Sequence, residues 1–158
     1  MKKSIFFTFA VDLMALLCSC SMSKYVPDPY ANSIRPSICG EWFLQSMCDS
    51  DGSYEINDEI TLVLPENPRN GLHGSTGVNL YNGTADITDK DFFCGTIGVT
   101  KMDGDEEAME SEQEYLRLLP LCDTISLEVL PPADDDTLEM RKLILTNKAE
   151  GIRIVFIQ

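Results

Sequence analysis

One histidine, one tryptophan and 12 basic residues are all that this 158-residue chain provides of the side chains on which catalysis and nucleic-acid binding most often rest. His73 is the single histidine, so a histidine-based triad would have to pass through a residue flanked by glycine with no placed partner. Serines and carboxylates are plentiful, but no spacing singles out an acid and a base. Lys and Arg total 12 against 26 Asp and Glu, a net charge of −14. That sign excludes nucleic acid as a partner. The cysteines lack the C-x₂₋₄-C spacing of a zinc site, so no metal and no cofactor is expected. Phosphate loops are missing too. In GLHGSTGVNLYNGTADI (71–87), Gly74 and Gly77 are followed by Val78 and Asn79 instead of lysine, and no helical pattern comes after. The acidic stretch DSDGSYEIND (49–58) lacks the third ligand of an EF-hand and has Ile60 where its last glutamate would stand, so it reads as a hairpin turn. Asp134, Asp135 and Asp136 after Pro131–Pro132 read as an exposed loop.

No apolar run is long enough to cross a bilayer. The longest, Ile5 to Leu17, has 13 residues, against the roughly 20 a spanning helix needs. What is there instead is an export signal: Lys2 and Lys3, the apolar run, then Leu17-Cys18-Ser19-Cys20. That ending resembles a bacterial lipobox, which implies removal of residues 1–19 and acylation of Cys20. Asp12 inside the apolar run departs from the pattern. Each buried CH₂ of an acyl chain contributes about 0.8 kcal/mol, so several chains anchor a protein without a spanning segment. Cleavage would remove Lys2, Lys3 and Asp12 and leave the chain one unit more acidic. Ser21-Met22-Ser23-Lys24 lacks the acidic residues that can mark surface export, which points to an outer-membrane anchor facing the periplasm.

Residues 20–37 contain three prolines and no sustained period, and read as a tether. One folded domain over 38–158 should follow. Its pattern is mostly period two: Trp42 and Leu44 against Phe43; Ile60, Leu62 and Leu64 against Thr61 and Val63; Ile125, Leu127 and Val129 against Thr124, Ser126 and Glu128. LILTN (143–147) and GIRIVFI (151–157) add two strands joined across Asn147–Glu150. Asn82-Gly83 predicts a two-residue hairpin turn. Residues 103–120 break the rule. Ala108, Met109, Tyr115, Leu116 and Leu119 recur at helical offsets, with Asp103 and Glu106 placed as a capping box and Pro120 as the stop. The expected fold is α+β, a mainly antiparallel curled sheet or small cracked barrel with one helix across an opening.

Besides Cys18 and Cys20, the chain has Cys39, Cys48, Cys94 and Cys122. Export permits disulfides, and their pairing is open. Cys39–Cys48 alone is excluded, because one strand would hold them about 30 Å apart at roughly 3.3 Å per residue, whereas a disulfide needs about 7 Å.

In order along the chain, Trp42 and Leu44; Gly77, Asn79, Tyr81 and Gly83; Thr100 and Met102; and Met109, Glu110 and Glu112 resemble the motifs of the META-domain family, to which the heat-shock protein HslJ belongs. The resemblance covers roughly residues 38–158. Where the family often has cysteines, this chain has Val78 and, near the second, Asp103 and Gly104; Val78 is expected to fill the core instead. The resemblance implies a META-like domain with a stress-related or envelope-maintenance role. The glycine-rich stretch then reads as a fold signature and not a ligand loop. The expected function is a noncatalytic, membrane-anchored interaction module for an envelope protein; the alternative is a carrier or sensor holding a lipid or small apolar ligand in a barrel cavity.

Overall fold

A computed structural model describes residues 35–54, 56, 59–66, 71–131 and 139–158. The expected signal, Cys20 and most of the tether lie outside these residues, as do Asp134, Asp135 and Asp136. A short helix α1 (Arg35–Ile38), the first described element, leads into strand β1 (Gly40–Asp49). Then follow β2 (Gly52–Ser53), β3 (Thr61–Leu64), β4 (Leu72–Ser75), β5 (Leu80–Ile87), β6 (Phe92–Val99), helix α2 (Glu106–Leu118), a 3-10 turn (Leu119–Leu121), β7 (Thr124–Leu130), β8 (Met140–Asn147) and β9 (Ile152–Ile157).

The strands form one antiparallel sheet in the order β6-β5-β4-β3-β1-β9-β8-β7, with β2 a short hairpin partner of β1. The sheet curls until its end strands touch. Asp91 bridges Thr124, Phe92 N–H donates to Asp123 O at 2.9 Å, and Ile125 N–H donates to Lys90 O at 2.9 Å. Beyond this bridge β6 and β7 part, which gives a cracked barrel with α2 between them in the chain.

The alternation of side chains sets the two faces. Trp42 and Leu44 point inward and Phe43 outward, and Ile60, Leu62 and Leu64 are all buried. A bulge between Leu44 and Ser46 shifts the register of β1 against β9, so that Met47 instead of Ser46 returns to the core. Trp42, Leu62, Tyr115, Leu143, Ile154 and Phe156 fill the interior. Ser50 and Asp51 turn the chain between Asp49 and Gly52, as the acidic hairpin reading requires.

Two expectations are corrected. Asn82-Gly83 is not a turn: both residues lie within β5, paired to His73 and Leu72 on one side and to Gly98 and Ile97 on the other. The chain reverses at 76–79 instead, where Gly77 takes φ +85°. The helix N-cap is Asp105, whose Oδ1 accepts from Ala108 N–H at 2.8 Å, and not Asp103. Glu112, one of the family-motif residues, is buried with Ser111 and Tyr115. His73 is exposed to solvent from strand β4.

Candidate functional site

Where α2 lies over the sheet, polar side chains converge in the interior. The 76–79 turn leaves Thr76 and Asn79 pointing inward, both nearly inaccessible. Thr76 Oγ1 meets Glu112 Oε2 and also accepts from Asn79 N–H at 2.8 Å. Asn79 Nδ2 donates to both Glu112 oxygens at 3.1 Å and to Met102 O at 3.2 Å. Its Oδ1 accepts from Met102 N–H at 2.7 Å and Thr100 Oγ1 at 2.9 Å. One asparagine therefore ties the β4–β5 turn, the exit of β6 and the helix together. This is why its spacing from Thr100, Met102 and Glu112 matters. Burying so many polar groups is tolerated because each has partners.

A second set continues the first toward the core. Tyr81 OH donates to Thr61 O at 2.8 Å, and Tyr115 OH therefore donates to Tyr81 OH at 2.6 Å. The two rings pack edge to face, and Tyr115 packs likewise on Phe156. Burial is the main cause that raises both phenols above their ordinary pKa, so neither offers a base. A Cβ at Gly74 would lie 2.1 Å from Thr61 O, so only glycine lets β3 approach here.

Trp42 stands apart from this network. Its Nε1 donates to Ile38 O at 2.7 Å and the Arg141 guanidinium lies 5.3 Å above its ring, closing the barrel end where the chain enters. Gly83 is also separate, packed against Ile97 and Thr96 at close approach. Met102 takes part through its backbone only; its side chain is 61% exposed. Met109 is half-buried on the flank of α2.

At the far end of α2, Arg117 Nη2 donates to Asp49 Oδ2 at 2.8 Å and to Tyr54 OH at 2.9 Å, while Tyr54 OH donates to the same Asp49 oxygen at 2.6 Å. Tyr54 first, then Arg117, hold the Asp49 carboxyl down at about 2. This clasp between the β1–β2 hairpin and the helix was not read from the sequence, since Asp49 and Arg117 are 68 residues apart. Along its outer flank α2 borders an open groove lined by Glu106, Met109, Glu110, Glu112, Gln113, Leu116 and Arg117. Among the described residues no three His, Cys, Asp or Glu side chains are arranged to hold a metal ion. No described helix is long and apolar enough to cross a membrane.

A family model for the META domain matches residues 36–158, the span that holds all of these contacts. The chain belongs to the META-domain family. Its fold is similar to that in the NMR structure of a protein from Burkholderia xenovorans, at 25% identity and a TM-score of 0.56, over 82% of this chain and 89% of that one. A comparison with curated proteins finds no match. Within this META domain, Val78 lies against Gly104, where a Cβ would come within 2.7 Å of Val78 Cγ2. The two places where the family resemblance leads one to look for cysteines are thus neighbours, joined here by packing; Val78 is half-buried and not a core residue as expected. Among the described residues no disulfide joins Cys39, Cys48, Cys94 or Cys122. Cys39 Sγ points at Pro65 O, Cys48 is half-buried, and burial pushes Cys94 up to about 11 and Cys122 up to about 12.

Proposed function

We propose that this META-domain protein is a noncatalytic module of the cell envelope, anchored by acyl chains on Cys20 and acting through contacts with another envelope protein. One observation carries the reading. The buried Glu112 carboxyl group has both oxygens engaged by Thr76 and Asn79, while Glu106, Glu107 and Glu110 stand exposed on the solvent face of α2. A catalytic carboxyl needs a lone pair or proton aimed at a substrate position, and the family motifs here use theirs to hold the fold. The carrier alternative gains no support from the barrel interior, which Trp42, Tyr115 and Phe156 occupy. Outer-membrane anchoring facing the periplasm belongs to the same proposal and rests on the Leu17–Cys20 pattern and Ser21–Lys24.

The test has two readings. Cells expressing the chain are fed an alkyne fatty acid, fractionated, and cross-linked. The expected result is label and outer-membrane fractionation for the wild type, both lost in Cys20→Ala, with a discrete cross-linked protein partner. Label retained by Cys20→Ala would overturn the anchor. A chain that binds lipid non-covalently in its interior, without a protein cross-link, would restore the carrier.

A further inference from the structure

We propose that the groove on the outer flank of α2 is a docking surface for a basic, amphipathic segment of a protein partner. This rests on the interaction reading above and gives that reading a surface and a chemistry. Half-buried Met109 and Leu116 supply its apolar floor, and Glu106 and Glu110 stand exposed along its edge. The two apolar residues are two helical turns apart, about 10.5 Å at 1.5 Å per residue. A partner helix with apolar residues at i, i+3 or i+4, and i+7 matches that interval.

Charge decides the occupant. Residues 101–117 carry seven carboxylates against Lys101 and Arg117. Arg117 is already held by Asp49 and Glu114, and Glu112 is inside the network. Glu106, Glu107 and Glu110 thus have no ion-pair partner among the described residues. An anionic lipid surface would be repelled, and an acidic segment would add like charge to the rim. A basic amphipathic segment satisfies rim and floor together. The surface is also held in place before binding. Asp105 caps the helix, the Asp49–Arg117 clasp fixes its far end, and Glu112 is tied to Thr76 and Asn79 beneath it. Little ordering remains to oppose association.

The test uses the full-length chain in neutral detergent micelles, with protein-free micelles as the blank. The probe is a fluorescein-labelled amphipathic peptide of leucine and lysine; its control has glutamate in place of lysine. Expected are binding of the lysine peptide that weakens as salt rises and a loss of about fivefold in Glu106→Gln/Glu110→Gln, the scale of two exposed ion pairs. Glu107→Gln removes the same charge from a residue outside the groove lining and should leave affinity within about twofold. Equal binding by the double variant and the wild type, salt-independent binding, or equal binding of the glutamate peptide would each overturn the proposal. So would an equal loss in Glu107→Gln, which would mean general acidity instead of a groove. If the envelope cross-link persists but maps away from α2, this surface fails while the interaction reading stands. If the peptide behaves as expected and no envelope partner is found, the reading fails and the surface preference survives.

Discussion

The two sides of α2 carry the same residue type to opposite ends. Glu112 and Glu110 are two positions apart, yet Glu112 is 8% exposed and bonded to Thr76 and Asn79, whereas Glu110 is open to solvent on the groove edge. A helix advances 100° per residue, so a spacing of two turns a side chain by more than half a circle. The inward glutamate works by satisfying donors that would otherwise be buried without partners. The outward one works, on our proposal, by remaining uncompensated. The comparison teaches that carboxylate density alone says little; the phase of each residue on the helix decides whether it holds the fold or faces a partner.

The largest effect expected from breaking this contrast is at Glu112. Glu112→Ala deprives one Asn79 Nδ2 hydrogen of its acceptor in the interior, while the other keeps Met102 O and the Thr76 hydroxyl turns to Asn79 O at 3.1 Å. An unsatisfied buried donor costs roughly 1–3 kcal/mol, so a loss of about 2 kcal/mol is expected. Urea unfolding followed by tryptophan fluorescence measures it through the midpoint, with Glu110→Ala as the paired control. Glu110→Ala should move stability by no more than about 0.5 kcal/mol. Comparable losses in the two variants would contradict the assignment of inward and outward roles.

A smaller loss is expected one layer deeper. Tyr115→Phe deletes the hydroxyl that donates to Tyr81 while keeping the ring packed on Phe156 and Tyr81. Tyr81 still donates to Thr61 O, so no donor is orphaned. The cost should be about 1 kcal/mol, the net worth of one hydrogen bond, read by thermal or urea unfolding. A loss as large as that of Glu112→Ala would mean the two hydroxyls are coupled to the Asn79 network more tightly than their separate contacts imply.

The strands were legible because one face of each is buried and period two follows directly from that: Trp42 and Leu44, or Ile60, Leu62 and Leu64, announce their side without knowledge of the partner strand. The grouping of Asn79, Thr100, Met102 and Glu112 was legible only as a family pattern. Nothing local in Asn79 says that its amide will bridge a turn, a strand exit and a helix up to 33 residues away. Gly83 misled for the converse reason. Asn-Gly is a turn signal when φ > 0 is wanted, but here Gly83 serves close packing between Leu72 and Ile97 in mid-strand. Met47 was hidden by the β1 bulge, since a one-residue shift reverses the face of everything after it. The Asp49–Tyr54–Arg117 clasp had no local signal at all, because it depends on where the helix end lands over the hairpin.

Asp105 against Asp103 sharpens the comparison at the helix start. Asp105→Ala removes the acceptor of Ala108 N–H and should cost about 1 kcal/mol, as N-caps typically do. Asp103→Ala, once the expected cap, should change the unfolding midpoint little, because Asp103 lies outside the helix and is exposed. If the two costs exchange places, the helix begins two residues earlier in solution.

The mildest perturbation is acid acting on the clasp at the opposite end of α2. Tyr54 and Arg117 hold the Asp49 carboxyl at about 2, below its ordinary 3.8. A depressed carboxyl contributes stability that is fully present above the unfolded value and disappears as pH falls through the folded one. Between pH 7 and about 4 the contribution of this group should therefore be flat, declining from there toward pH 2. NMR titration of the Asp49 side-chain carboxyl carbon should show its midpoint near 2 in the wild type and closer to the ordinary value in Arg117→Ala or Tyr54→Phe. The same titration gives the clasp its sharpest contrast with the groove. Glu114 shares Arg117 with Asp49, so a midpoint that stays near 2 in Arg117→Ala would assign the anchoring of the hairpin to Tyr54 alone and free Arg117 to serve the groove.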